Sequence, residues 1–77
     1  MDDSEFLSRL ATILEVPSGV IPPQFRLADG AWDSLAMVST VALIDEATGL
    51  YISADQLSKC VTAGDVLAIG REPGKQT

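Results

Sequence analysis

The chain contains no histidine and only one cysteine, Cys60, among its 77 residues. Without imidazole no Ser-His-Asp or Cys-His arrangement can be assembled, and a nucleophilic serine would lack its usual base. No His-based metal site exists, one thiol cannot make a zinc knot, and an internal disulfide is impossible. Positive charge is scarce as well: five Lys and Arg stand against eleven Asp and Glu, a net charge of −6. Nucleic acid and anionic membrane are therefore disfavoured partners, since both are held by cations against phosphate, and a basic protein surface is favoured. Long hydrophobic runs are missing too: the uncharged stretch around Leu35 to Ile44 is about half of what a membrane span requires. Met1 is followed by Asp2, Asp3 and Glu5, where a secretory leader would be basic and then apolar. The expectation is a soluble, cytoplasmic, free-standing chain.

What is present reads as one small all-α domain, with a core of three or four helices. Asp2 and Glu5 have capping-box spacing, and Phe6, Leu7, Leu10, Ile13 and Leu14 then recur at helical intervals. Val16 precedes Pro17, so this first helix is expected to end near Glu15. A connection from Pro17 to Trp32 follows, long for a compact domain, with Phe25 and Leu27 as the expected pins to the core. Leu35 through Thr48 contains neither Gly nor Pro and predicts a second helix that stops at Gly49. It carries more apolar residues than one buried face can use, so part of it should be exposed. Ser53 and Gln56 predict a very short helix through about Ser58. Thr62 and Asp65 predict a last one from Ala63 to Ile69, stapled by Val61 and Val66 and closed by Gly70. Val66, Leu67 and Ile69 should turn inward. Residues 71–77 are expected to form a disordered tail, and Cys60 to pack as a small, partly buried residue.

The junction Ala31-Trp32-Asp33-Ser34-Leu35 carries the chemistry. Asp33 is a good N-cap, which sets Ser34 at the first helical position with its hydroxyl toward solvent. Free backbone N–H groups and the positive end of the helix dipole lie beside it, so an anion attached there would be stabilised.

The chain resembles the acyl carrier protein family of phosphopantetheine-binding helical bundles. The resemblance runs from Phe6 to Ile69 and centres on Asp33-Ser34-Leu35, which is similar to the family's attachment motif, preceded by Leu27-Ala28-Asp29-Gly30. Glu46 with Gly49, Ile52 with Ser53, and Thr62 with Asp65 add to it. It implies a four-helix bundle over residues 1–70 with a long first loop, three main helices and a short one. It also implies 4′-phosphopantetheine attached to Ser34, with Asp33 and Leu35 completing the motif. By this resemblance a phosphopantetheinyl transferase transfers the group from coenzyme A, and acyl groups travel as thioesters to acyl-loading, ketosynthase or acyltransferase enzymes. The protein itself would be a monomer, hold no metal and supply no catalytic residue.

Leu35, Met37, Val38, Asp45 and Glu46 are the expected partner-binding residues. Ala36 and Ser39 stand where the family usually has exposed carboxylates, which shifts the weight from electrostatic steering to apolar contact. Thr40 and Thr48 replace bulky apolar residues, with Leu50, Tyr51 or Trp32 as candidates to compensate. Together these departures suggest a carrier dedicated to one pathway, such as a surface polysaccharide, lipid or polyketide route. An aminoacyl or peptidyl carrier and an unmodified helical adaptor are the alternatives.

Overall fold

Residues 1–71 are described by the structure, a computed structural model. They form four α-helices: α1 (Asp3–Ile13), α2 (Ser34–Thr48), α3 (Ala54–Ser58) and α4 (Ala63–Arg71). No strand occurs among the described residues, only an isolated antiparallel bridge between Arg26 and Thr62. Helix α2 packs against each of the other three, and α1 also packs against α4. Each helix contributes apolar residues to one buried cluster. Phe6, Leu10, Ala11 and Leu14 come from α1 and its C-terminal cap, Leu43 and Ile44 from α2, Leu57 from α3, and Ala63, Val66 and Ile69 from α4.

The Asp2 carboxylate caps α1 by accepting the Glu5 N–H at 2.8 Å. Glu5 turns to Arg9 at 2.9 Å instead of returning the bond. The helix ends at Ile13 rather than near Glu15, because Glu15 adopts a left-handed conformation with φ +59. Its N–H then donates to the Thr12 carbonyl and that of Val16 to the Ala11 carbonyl, both at 3.0 Å. This paired reversal is a Schellman turn. A glycine normally occupies its left-handed position, and a residue with a Cβ costs roughly 1–2 kcal/mol there.

The connection to α2 is pinned by Leu27 and Ile21, 1% and 3% exposed, while Phe25 is only half-buried. Ile21 thus takes the deep role expected of Phe25, whose backbone is used instead. The Leu27 N–H donates to the Val61 carbonyl at 2.9 Å and the Ala63 N–H to the Phe25 carbonyl at 2.9 Å. The Gly64 N–H donates to the Pro23 carbonyl at 2.7 Å. A short 3-10 turn, Leu27–Asp29, brings the chain back toward α1.

Helix α2 has the boundaries read from its caps, and Gly49 closes it with φ +76. Ala36, Thr40, Leu43 and Ile44 form its buried face. Ala36, expected on the exposed face, is 4% exposed because the 3.6-residue period aligns it with Thr40 and Leu43. Thr40 is fully buried, and its hydroxyl donates to the Ala36 carbonyl at 2.7 Å. Leu50 and Tyr51 do not compensate for the smaller side chains, being 37% and 83% exposed, whereas Trp32 packs partly against the core.

Helix α3 has the expected capping box. The Ser53 hydroxyl accepts the Gln56 N–H at 3.3 Å and the Gln56 amide oxygen accepts the Ser53 N–H at 3.1 Å. At α4 the Asp65 carboxylate accepts the Val61 and Thr62 N–H groups at 2.9 and 3.0 Å, and the Thr62 hydroxyl accepts the Asp65 N–H at 3.2 Å. Val61, expected to staple onto Val66, is 56% exposed, whereas Val66 is fully buried. Gly70 does not close α4: it is buried near Ile44 and the helix continues to Arg71. The expected tail therefore loses Arg71, and 72–77 lie outside the described residues.

Replacing Glu15 by glycine should relieve the left-handed strain and stabilise the fold by about 1 kcal/mol, read as a higher melting temperature. A second prediction concerns acid. The Val61 and Thr62 N–H groups hold the Asp65 carboxyl below the usual carboxylate range. Its contribution to stability is thus complete above about pH 4 and fades as pH falls through the lowered folded value. Asp65→Ala should cost about 1 kcal/mol near neutral pH and show a shallower loss of stability between about pH 4 and pH 2 than the parent. Parallel melting-temperature profiles for the two proteins would contradict this.

Candidate functional site at the head of α2

Ser34 is the first residue of α2 and is exposed. The Asp33 carboxylate accepts the Ala36 N–H at 2.8 Å and its carbonyl accepts the Met37 N–H at 2.9 Å, so the helix starts as its cap dictates. The Ser34 hydroxyl and the N–H groups of Ser34 and Leu35 have no hydrogen-bond partner among the described residues. No carboxylate follows in the first turn. An oxygen able to be esterified is therefore flanked by donors suited to an anion.

The residues before the cap are tightly held. The Gly30 N–H donates to the Leu27 carbonyl at 3.0 Å, that of Ala31 to the Leu14 carbonyl at 2.9 Å, and that of Trp32 to the Gly30 carbonyl at 2.9 Å. The approach to Ser34 is thus fastened to the end of α1.

Of the expected partner-binding residues, Leu35, Val38 and Asp45 share one outer face of α2. Leu35 and Val38 are 74% and 60% exposed, and Asp45 is also exposed. They are spaced along the helix so that Val38 lies about 6 Å and Asp45 about 16 Å from Ser34 on the axis. Met37 is half-buried against the core. Glu46 is exposed but paired with Arg9, and belongs to the seam between α1 and α2. A shallow groove of about 440 Å³ runs beside the outer face, lined by Val38, Val41, Ala42, Asp45, Tyr51 and Ala54. The sequence reading missed Val41, Ala42, Tyr51 and Ala54 as its lining; Val41 and Ala42, three and four residues after Val38, were legible from helical spacing, whereas Tyr51 and Ala54 depend on the turn after Gly49.

Cys60 is half-buried, and burial, followed by the Asp65 charge, pushes its thiol up to about 11. It is a poor nucleophile at neutral pH. No group of three or more metal-ligating side chains occurs among the described residues, and no described helix is long and apolar enough to cross a membrane.

Asp33→Ala should cost about 0.5–2 kcal/mol through the lost cap. Ser34→Ala should change stability by about 0.5 kcal/mol or less, since its hydroxyl is exposed and unbonded. Denaturant titration of both variants checks this; an unchanged midpoint for Asp33→Ala would mean that its carboxylate is not capping. No family model, curated protein or solved structure matches this chain.

Proposed function

We propose that the protein is an acyl carrier of the kind its sequence resembles, with an acyl-carrier-like bundle that presents Ser34 for attachment of 4′-phosphopantetheine. The single observation that carries this reading is the exposed, unbonded Ser34 hydroxyl at the first position of α2, next to two free backbone N–H groups. In this reading Ser34 Oγ attacks the pantetheine-side phosphorus of coenzyme A. A new P–O bond forms, the bond to 3′-phosphoadenosine 5′-phosphate breaks, and the hydroxyl proton passes to a base of the phosphopantetheinyl transferase. Asp33 keeps the helix start fixed while its carboxylate is occupied by the Ala36 N–H. The Ser34 and Leu35 N–H groups and the α2 dipole would stabilise the negative charge of a phosphodiester attached there.

Once attached, the arm supplies a terminal thiol that carries acyl groups as thioesters, and the chain contributes no catalytic residue. Leu35 and Val38, with Asp45 farther along, form the surface that meets the transferase and the loading, ketosynthase or acyltransferase enzymes of a dedicated cytoplasmic pathway. The absence of histidine suits a protein that presents cargo and leaves reaction to its partners.

A second reading, an unmodified helical adaptor, is favoured by the exposed apolar side chains Leu35, Val38 and Tyr51. One experiment separates the two. Incubation with coenzyme A and a promiscuous phosphopantetheinyl transferase should add the mass of one phosphopantetheine to the parent and nothing to Ser34→Ala. An unchanged parent mass, under conditions that modify a known carrier, would favour the adaptor. Subsequent loading by an adenylating enzyme with an amino acid in place of an acyl chain would redirect the reading to an aminoacyl or peptidyl carrier.

A further inference from the structure

The Schellman turn at the end of α1 directs the Leu14 carbonyl toward the connection, where it accepts the Ala31 N–H at 2.9 Å. Gly30 lies directly against the same residue. A Cβ added at Gly30 would stand 2.8 Å from the Leu14 Cβ, closer than packed atoms tolerate, and a tight 3.2 Å from the Leu14 carbonyl oxygen. Gly30 has φ −111, which any residue adopts, so space rather than backbone conformation demands glycine here. Leu14 is itself 1% exposed and cannot readily move. Between this contact and Ser34 lie only Ala31, Trp32 and Asp33. The Trp32 N–H closes a tight turn on the Gly30 carbonyl at 2.9 Å, and Asp33 is fixed by its cap. A displacement at Gly30 therefore has little slack in which to dissipate before it reaches the serine.

We infer that Gly30 is a positioning residue: its contact with Leu14, together with the Ala31 N–H to Leu14 carbonyl bond, clasps α1 to the head of α2 and sets where the Ser34 hydroxyl is presented. The effect on modification rests on the carrier reading above; the clasp itself does not. A misplaced oxygen lowers the rate of transfer at saturation more than it weakens docking, which uses the outer face of α2.

The test compares transferase kinetics of the parent, Gly30→Ala and Gly49→Ala. Gly49 has φ +76 with nothing within 4 Å of an added Cβ, so its substitution strains the backbone at the far end of α2 without touching the clasp. Gly30→Ala should lower kcat by about ten- to a hundredfold with KM little changed, whereas Gly49→Ala should leave both within about twofold. Amide hydrogen exchange supplies a readout free of the transferase: the Ala36 N–H held by Asp33 should exchange faster in Gly30→Ala and not in Gly49→Ala. If Gly30→Ala does not fold, Ala31→Pro, which deletes the donor to Leu14, takes its place with the same expectations. Parent-like kcat and exchange in the clasp variant, or equal losses in Gly49→Ala, would overturn the inference. A parent inert to the transferase would overturn the carrier reading instead, leaving exchange at Ala36 to decide the clasp.

Discussion

Helix α2 has to satisfy two opposed demands, and the Asp33 cap is the interaction that reconciles them. Along Ala36, Thr40, Leu43 and Ile44 the helix is buried against the other elements, yet its first residue stands in solvent with an unbonded hydroxyl. A helix start left without a cap would leave its orphan donors to fray or to shift the first turn by a residue. The carboxylate of Asp33 fixes the start at Ser34, so the inner face meets the core in register while the serine stays outside.

The cap in turn depends on the connection that delivers it. A stretch from Pro17 to Trp32 could wander, but it is tied on both sides. Toward α4 the Pro23 and Phe25 carbonyls accept backbone N–H groups and the Leu27 N–H donates, and toward α1 the Ala31 N–H donates to the Leu14 carbonyl. Ile21 and Leu27 add buried side chains between these ties. Fastening a loop at several points reduces the conformations open to the residues that follow it, so the Ser34 hydroxyl is presented from a firmly held approach. The chain accepts a left-handed glutamate at Glu15 to bring the Leu14 carbonyl into place.

The parts of this arrangement legible in the sequence are those decided within a few residues. The bounds of α2 follow from Asp33 and Gly49, and α3 from Ser53 and Gln56, because caps are local chemistry. Ser34 was legible as an exposed helix-start residue for the same reason. The misreadings arise where tertiary packing decides. A glutamate in the left-handed region has no local signature, so α1 was read too long. Gly70 looks like a stop but lies within α4, buried beside Ile44. Ala36 was placed outside by comparison with a family pattern, although its spacing from Thr40 and Leu43 puts it inside. The contact between Gly30 and Leu14 joins residues far apart in the chain and could not be read from either one.

The outer face of α2 shows a similar division. Leu35 and Val38 are exposed because their period is opposite to that of the buried set, and Asp45 continues the same line. Glu46, one residue on, turns instead to Arg9 and holds α1 to α2. Site-resolved tandem mass spectrometry of the protein after reaction with coenzyme A and transferase tests the central claim most directly. The account predicts that the peptide spanning Ser34 alone carries the phosphodiester and ejects pantetheine on fragmentation. Attachment mapped to any other residue, or no modified peptide, would contradict it.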